Sequence, residues 1–215
     1  MQTIVLSELI KKAGLYGSAD MTEAAGAAEI KGISYDSRKT QPGDLFVCVK
    51  GFSTDGHKYA AKAEAAGAAA ILAADRLEGI SIPVIYVDDG NDGRKALSAV
   101  SAAFFGRPSD SMTVFGVTGT NGKTTTTTLV GEIMKRYQDN TFVVGNIGTP
   151  YTQEVLKTDQ DSVTVAEISS FQLETAVHFH PTVSAILNIT PDHLNRHHTM
   201  EEYIRVKELI TENQQ

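Results

Sequence analysis

The sequence predicts an α/β protein with a doubly wound parallel sheet that carries a phosphate-binding loop. Short apolar runs alternate with stretches of helical apolar spacing along most of the chain, as in folds that build parallel strands from strand–helix units. One apolar run, residues 114–117, leads through a glycine-rich turn directly into Lys123 and Thr124. Ligands of such sheets bind beyond the carboxyl ends of the strands, so we expect the functional residues at that edge.

Residues 116–124, GVTGTNGKT, are called the phosphate loop below. Glycines let backbone N–H groups turn toward anionic oxygens, and the following helix adds its partial positive charge. Lys123 would reach the terminal phosphates, and the Thr124 hydroxyl would hold Mg²⁺. The generic pattern G-x-x-x-x-G-K-[ST] has a glycine where this chain has Val117, so the loop is a variant. The alternative is a glycine turn before an ordinary helix.

Composition limits the possible classes of protein. The 215 residues suffice for one large or two small domains, and 41% apolar and 21% charged residues indicate a soluble globular chain. A net charge of −7 argues against a general nucleic-acid surface but allows a local phosphate pocket. The single cysteine, Cys48, lies in an apolar run, which predicts a buried thiol in a reducing cytoplasm. Neither a signal peptide nor a membrane-spanning segment is expected.

The first half of the chain, up to the break Gly106-Arg107-Pro108, is expected to form one domain, residues 1–108. Helices are predicted at 6–13, 57–66 and 92–105, and strands at 33–35, 45–49, 69–73 and 82–87. The second domain, residues 109–215, begins just before the strand of the phosphate loop. Its later helices are predicted at 123–137, 171–177 and 200–212, and its later strands at 141–144, 162–168 and 183–189.

Two ionisable residues of the second domain have competing interpretations. Glu167 ends an apolar strand and is either a solvated strand end or a Mg²⁺ ligand. Its position one strand from the phosphate loop favours the metal, since Mg²⁺ takes carboxylate, hydroxyl and phosphate oxygens. Lys207 lies in the last predicted helix; taken alone, it reads as a solvated helical lysine.

Five of the six histidines lie between residues 178 and 198. His178 and His180 are interpreted as surface or structural residues, whereas His193 follows a predicted strand and is expected to face the functional edge. His193 and His197 have the i, i+4 spacing that suits zinc on a helix. Pro191 and the absence of helical apolar spacing argue against a helix there. Asp192 is interpreted as a turn residue or an orienting partner.

Several segments together resemble the Mur ligases, the ATP-dependent enzymes that add amino acids to UDP-N-acetylmuramyl peptides in peptidoglycan synthesis. The matching segments in the second half are GVTGTNGKTTT (116–126), GNIGTP (145–150), EISSFQLE (167–174), NITPDHLNRH (188–197) and TMEEYIRVK (199–207). Residues 36–72 resemble the UDP-binding domain of the branch that adds a diamino acid to UDP-MurNAc-L-Ala-D-Glu. In contrast, Phe171-Gln172-Leu173-Glu174 resembles the D-glutamate-adding branch, so the added amino acid stays open.

The resemblance implies a small N-terminal α/β UDP-binding domain, 1–108, followed by a partial P-loop parallel-sheet ATPase domain, 109–215. Members of the family continue beyond the helix of Lys207 through the rest of the central sheet and a C-terminal domain. We therefore expect an apolar sheet edge that another element should cover. We also expect that the 215-residue chain does not complete ligation alone, whether it is a fragment, a truncated product or half of a two-chain enzyme.

The implied reaction is phosphorylation of a substrate carboxylate by ATP, attack of the incoming amine on the acyl phosphate, and loss of phosphate from a tetrahedral intermediate. Catalytic roles fall to Lys123, Glu167, His193 and Lys207. Mg²⁺ would be held by Thr124, Glu167, His193 and a carbamylated Lys207. The implied ATP-binding residues are Gly119, Thr120, Asn121, Gly122, Lys123, Thr124 and Thr125. The implied substrate-binding residues are Tyr35, Ser37, Phe52, Ser53, Thr54, Asn146, Thr149 and Ser169.

Two other functions stay open at this point. One is the folylpolyglutamate synthetase class, which shares the phosphate loop; the segments DSR (36–38) and GDLFVCVKG (43–51) favour a UDP-sugar substrate instead. The other is a protein that binds nucleotide or UDP-muramyl-peptide without turnover. The expected partners are the UDP-muramyl-peptide and an amino acid, with no nucleic acid and no membrane, in the cytoplasm. The oligomeric state is not predicted.

Overall fold

The structure is a computed structural model that describes residues 3–15, 19–20, 23–51, 54–88 and 93–214. The chain divides into two compact units, Met1–Gly106 and Arg107–Gln215. Each unit contains helices packed on a sheet made largely of parallel strands, which confirms the predicted α/β class.

Unit 1 contains a five-stranded sheet and four α-helices among its described residues. The strands are β1 (Ile4–Val5), β2 (Ala19–Asp20), β3 (Glu29–Ile30), β4 (Gly32–Ser34), β5 (Asp44–Val47), β6 (Ala70–Ala73) and β7 (Val84–Val87). The helices are α1 (Leu6–Lys12), α2 (Glu23–Gly26), α3 (Ala60–Ala65) and α4 (Arg94–Phe104). The sheet has the order β2-β7-β6-β5-β4, parallel except for β2, while β1 and β3 form a separate antiparallel pair.

The core of unit 1 lies on both faces of β5 and β6. Leu45 and Val47 pack with α1 and α4, whereas Phe46 and Cys48 pack with α3 on the opposite face. This division follows from the strand geometry, in which successive side chains point to opposite faces. The thiol of Cys48 is buried, as predicted.

Unit 2 contains one four-stranded sheet and five α-helices among its described residues. The strands are β8 (Thr113–Thr118), β9 (Thr141–Gly145), β10 (Val163–Glu167) and β11 (Val183–Ile186). The helices are α5 (Lys123–Met134), α6 (Tyr151–Glu154), α7 (Ser170–Leu173), α8 (Leu194–His197) and α9 (Met200–Glu208). All strand pairs are parallel, in the order β11-β8-β10-β9. At one edge, β11 leaves Val183 and Ile186 exposed.

The register of the sheet brings three strand ends to one level. Glu167 pairs with Val117 of β8 on one side and with Gly145 of β9 on the other. The segments that follow these strands therefore start next to one another. Strand β8 is flanked by β10 and β11, so the phosphate loop lies between the segments that leave its two neighbours.

Several element bounds differ from the prediction. Helix α7 ends at Leu173, and β11 ends at Ile186, where the sequence suggested 177 and 189. The prediction against a helix after Pro191 was wrong, because α8 is helical over one turn. Two of its side chains, Arg196 and His197, contact Glu174, and both also pack against the ring of Phe171. No helix among the described residues is long and apolar enough to cross a bilayer.

Candidate phosphate-binding site

The turn between β8 and α5 places a positive helix end at the edge of the sheet. Gly119 and Gly122 have φ values of 153° and 80°, a region that L-residues other than glycine rarely adopt. A β-carbon at Gly119 would lie 3.2 Å from the Leu187 Cβ. Gly122 precedes the first residue of α5 and offers no capping side chain. The first N–H groups of α5 therefore lack a partner within the helix, which is the arrangement that binds anions.

Two ammonium groups converge on this turn. The Lys123 Nζ donates hydrogen bonds to the carbonyl oxygens of Gly119 and Thr120, at 3.0 and 3.1 Å. From the other side, the Lys207 Nζ donates to the same Gly119 oxygen at 3.0 Å. A shared carbonyl oxygen brings two positive charges together, so the site favours an anion.

Lys207 is not the solvated helical lysine of the simplest interpretation. Its side chain is 1% exposed, and the Nζ lies 4.8 Å from the centre of the Tyr203 ring. Burial, assisted by the charge of Lys123, lowers the pKa of Lys207 to about 8, against an opposing effect of Asp192. About a tenth of Lys207 is therefore neutral at pH 7, and the rest carries its positive charge.

Glu167, the last residue of β10, contacts the segments that follow β8 and β9. Its carboxylate is buried, with 2% exposure, so it is not a solvated strand end. Thr124 Oγ1 donates to Glu167 Oε2 at 2.8 Å, and Asn146 Nδ2 donates to Oε1 at 3.0 Å. A hydroxyl oxygen and a carboxylate thus lie side by side at the start of α5, which suits the oxygen ligands that Mg²⁺ prefers.

His193 lies apart from this pair of oxygen ligands. It has a left-handed backbone conformation, φ 52°, directly before α8. Its Nε2 lies 3.4 Å from Asp192 Oδ2, and its ring centre lies 4.9 Å from that of Phe171. Within the described ranges, the structure joins Thr124 to Glu167 directly, but shows no hydrogen bond from His193 or Lys207 to either residue.

His197 is buried and bonded within the protein. Its Nε2 lies 3.0 Å from Ser170 Oγ, and its Nδ1 lies 3.2 Å from Glu174 Oε1. Burial lowers the pKa of His197, while the Glu174 carboxylate opposes this shift. Both ring nitrogens therefore have partners, Ser170 in α7 and Glu174 in the turn that follows it. Although His197 has i, i+4 spacing from His193, its ring in this structure packs within the protein.

The predicted substrate residues occupy different environments. On unit 2, Asn146 is bound to Glu167, the Thr149 carbonyl accepts from the Gly145 N–H at 2.9 Å, and Ser169 caps α7 in a reciprocal pair with Gln172. On unit 1, Tyr35 is exposed and Ser37 is buried. Thr54 Oγ1 lies 3.0 Å from the Tyr59 hydroxyl. Phe52 and Ser53 lie outside the described residues.

Sequence reasoning gave no role to two residues that contact the phosphate loop. Asn188 follows β11 and hydrogen-bonds to the backbone of Asn121 through both side-chain atoms. Tyr203, on α9, places its hydroxyl 3.3 Å from Thr120 Oγ1. The sequence did carry a signal for the burial of this segment, because Tyr203, Val206 and Ile210 are apolar residues at helical spacing. All three are buried.

One further cluster, in unit 1, has the composition of a metal site. One side-chain ligand atom from each of Asp55, His57 and Asp75 lies within 4.8 Å of the others. However, His57 Nε2 accepts the backbone N–H groups of Ala74 and Asp75, both at 3.2 Å, and Nδ1 lies 2.6 Å from Asp55 Oδ1. Because neither nitrogen retains a free lone pair, the imidazole joins two backbone segments and does not act as a ligand.

Comparison with known protein families agrees with this geometry. The profile of the Mur ligase family catalytic domain matches residues 29–104, and that of the Mur ligase middle domain matches residues 117–215. The chain belongs to the Mur ligase family. The middle-domain match includes the phosphate loop from Val117 onward, together with Glu167 and Lys207.

Two curated Mur ligases illustrate the two branches that the sequence resembles. The UDP-N-acetylmuramoylalanine–D-glutamate ligase of Lachnospira eligens is 72% identical over 101 residues, which cover 47% of this chain and 22% of that protein. The UDP-N-acetylmuramoyl-L-alanyl-D-glutamate–2,6-diaminopimelate ligase of Listeria innocua is 35% identical over 226 aligned positions, which cover 95% of this chain and 44% of that protein. This chain spans less than half the length of either relative.

Among solved Mur ligases, the MurF ligase from Thermotoga maritima in complex with ADP has a TM-score of 0.63 and 25% identity. The match covers 91% of this chain and 45% of the MurF chain. The Mur ligases are ATP-dependent ligases of peptidoglycan precursor synthesis, which agrees with the predicted enzyme class.

Proposed function

We propose that this chain binds ATP·Mg²⁺ and a UDP-N-acetylmuramyl-peptide for ATP-dependent amide-bond ligation. The observation that carries the proposal is the hydrogen bond of 2.8 Å between Thr124 Oγ1 and Glu167 Oε2 at the start of α5. It places a hydroxyl and a buried carboxylate beside a lysine and a helix end. A carboxylate among these positive groups suits a metal–phosphate complex better than a free anion.

The nucleotide phosphates are proposed to bind at the first turn of α5. Backbone N–H groups there would donate to the phosphates, and the Lys123 ammonium would exchange its two loop carbonyls for phosphate oxygens. The ADP complex of the Thermotoga maritima relative supports a nucleotide as the ligand. Of the predicted phosphate-loop residues, Gly122, Lys123, Thr124 and Thr125 are proposed to contribute through these groups.

The side chains around the phosphate loop fit Mg²⁺. Thr124 and Glu167 offer adjacent oxygen atoms, and the buried position of Glu167 keeps its carboxylate in one orientation. When bound, Mg²⁺ would neutralise charge on the phosphate oxygens. His193 is the proposed additional ligand of the family pattern; Asp192 lies beside its imidazole at 3.4 Å.

Lys207 is proposed to be carbamylated, as the family resemblance implies. Only a neutral amine attacks CO₂; the new N–C bond forms as the nitrogen loses a proton, which leaves a carbamate anion. A pKa of about 8 supplies that neutral amine. The resulting anion would turn a residue that now donates to Gly119 into an oxygen ligand for a second Mg²⁺.

The proposed reaction joins a UDP-muramyl-peptide carboxylate to an amino acid through an acyl phosphate. Unit 1 would hold the uridine near Tyr35, Ser37 and residues 52–54, and unit 2 would hold the peptide near Asn146, Thr149 and Ser169. UDP-MurNAc-L-Ala-D-Glu is the first candidate substrate, supported by the relative that aligns with 95% of the chain. UDP-MurNAc-alanine is the second, favoured by 72% identity to a D-glutamate ligase over 101 residues. The free thiol of Cys48 suits a reducing cytoplasm.

Calorimetric titration with ATP·Mg²⁺ tests the nucleotide part of the proposal. Replacing Lys123 by Ala should weaken binding by about 100-fold, because a hydrogen bond to a charged group is removed. Lys135→Ala is the matched control, since this lysine lies after α5 and pairs with Glu132 at the surface. Equal affinities of Lys123→Ala and the wild type would contradict the proposal. Parallel titrations with the two muramyl substrates, with and without ATP·Mg²⁺, distinguish the two candidates.

A further inference from the structure

Asn188 makes a two-point contact with the peptide backbone of the phosphate loop. Its Oδ1 accepts the N–H of Asn121 at 2.9 Å, and its Nδ2 donates to the carbonyl oxygen of Asn121 at 3.0 Å. The backbone of Asn188 adds a third bond, because its carbonyl accepts the N–H of Thr120 at 3.0 Å. Since a carboxamide carries a donor and an acceptor side by side, its orientation is fixed by the two backbone groups that it meets.

These contacts determine which loop N–H groups are available to an anion. The N–H groups of Thr120 and Asn121 are directed at Asn188. The N–H groups of Lys123, Thr124 and Thr125 belong to the first turn of α5, where no helical acceptor precedes them. Fewer than the seven predicted residues therefore offer an N–H group to an anion, because the N–H groups of Thr120 and Asn121 are bonded to Asn188.

The same segment holds the loop through a second residue. Thr120 Oγ1 donates to the Thr190 carbonyl at 3.2 Å and accepts the Thr190 N–H at 3.0 Å. The loop is thus attached to residues 188–190 at two successive positions. Both attachments lie on the side of the loop next to β11, whereas Glu167 and Thr124 meet on the β10 side.

We propose that Asn188 is a positioning residue for nucleotide binding: it holds residues 120–121 so that the free N–H groups of α5 converge on the phosphates. The inference rests on the proposed function for the identity of the ligand. It assigns Asn188 no contact with the nucleotide; the effect is transmitted through the backbone of Asn121. Preorganised donors bind more tightly because their ordering precedes binding.

Asn188→Ala tests the inference in the full 215-residue chain. Asn188 lies at the surface, so the substitution leaves no buried cavity. We expect ATP·Mg²⁺ binding to weaken about tenfold, the effect of one to two net hydrogen bonds, and hydrogen exchange at the Asn121 amide to accelerate. Asn188→Asp keeps the acceptor but sets an oxygen against the Asn121 carbonyl, so its ATP affinity should fall below that of Asn188→Ala.

Asn213→Ala is the matched control. Asn213 also donates its side-chain amide to backbone carbonyls of unit 2, those of Val177 and Phe179, and its loss should leave both readouts unchanged. Wild-type affinity in both Asn188 variants, or unchanged exchange at Asn121, would overturn the inference while Lys123→Ala still supports the nucleotide site. If the wild type itself does not bind ATP·Mg²⁺, the proposed function fails, and exchange at Asn121 alone decides whether Asn188 holds the loop.

Discussion

Unit 1 and unit 2 are both α/β, yet they bury different chemistry at their sheets. The described buried polar residues of unit 1 are the small or turn-forming residues Ser34, Ser37, Thr40 and Asp44. Ser34 and Thr40 bond to each other through their hydroxyl groups at 3.1 Å, and Asp44 Oδ2 accepts the Gln41 N–H at 2.9 Å. Unit 2 buries Glu167, His197 and Lys207, with exposures of 1 to 2%.

The comparison distinguishes buried polar groups that stabilise the fold from buried charged groups that are suited to bind a ligand. A buried charge costs free energy unless it is paired, and an apolar residue of the same size would often be more stable. Asp44 bonds to a turn within its own unit, whereas the buried ammonium of Lys207 has only carbonyl and hydroxyl oxygens as bonded partners and no carboxylate, among the described residues. Unit 2 thus keeps a costly charge on α9, against the carbonyl of Gly119 just after β8, which indicates a ligand site.

The largest expected effect is a loss of stability at β9, the edge strand of the unit 2 sheet next to β10. A β-carbon at Gly145 would overlap the Glu167 carbonyl oxygen, and φ is 103°. Gly145→Ala should therefore lower the free energy of unfolding by at least about 3 kcal/mol. Gly148→Ala, with φ 68° and open space around it, should lose only about 1 kcal/mol. Urea unfolding of both variants measures this; equal losses would mean that the β9–β10 edge is not closely packed.

The second prediction uses the buried charge of Lys207. Burial lowers the folded-state pKa from 10.5 to about 8, so the folded chain releases a proton between these values while the unfolded chain keeps it. Stability therefore rises with pH in this window, by about 2 kcal/mol from pH 7 to 10 relative to Lys207→Met. Paired urea titrations across this range provide the measurement. Parallel pH curves for the two proteins would show that Lys207 carries no such penalty.

The third prediction compares the two buried carboxylates. Glu167→Gln retains the volume of the side chain but removes the charge, so affinity for ATP in the presence of Mg²⁺ should fall about tenfold. Asp44→Asn is the unit 1 counterpart and should leave nucleotide affinity unchanged. Titrations with and without Mg²⁺ separate the metal effect from nucleotide binding. A loss of the same size in Asp44→Asn would remove the distinction between the units.

The smallest effect is expected at Cys48 in unit 1. Burial raises the pKa of its thiol to about 12, and the residue has no exposed surface. The thiol should therefore react with a maleimide at pH 8 only as fast as unit 1 unfolds, and rapidly in urea. Mass spectrometry follows the labelling. Fast labelling of the native chain would show that the apolar core of unit 1 opens readily.

The sequence could predict features that local chemistry specifies. Strand β8, the glycine turn and α5 could be predicted from the glycines and the apolar spacing. The burial of Cys48 could be predicted from the apolar run around it. Helix α8 could not be predicted this way, because its stabilising contacts come from Glu174, 22 residues before Arg196. The two-residue strands before residue 31 carry too little periodicity to identify. Asn188 lies in a polar segment whose importance appears only when β11 pairs with β8.

The strand order of unit 2 also has a consequence during synthesis. The phosphate loop lies 67 residues before the Asn188 side chain that holds it, and Gly119 lies 88 residues before Lys207. At ribosomal rates of about 5 to 20 residues per second, the loop waits roughly 4 to 18 seconds for its last partner. In the first part of that interval, until β10 (Val163–Glu167) has been made, β8 has neither neighbour in place. The glycine-rich turn is therefore made early, but the residues that hold it in shape are made late.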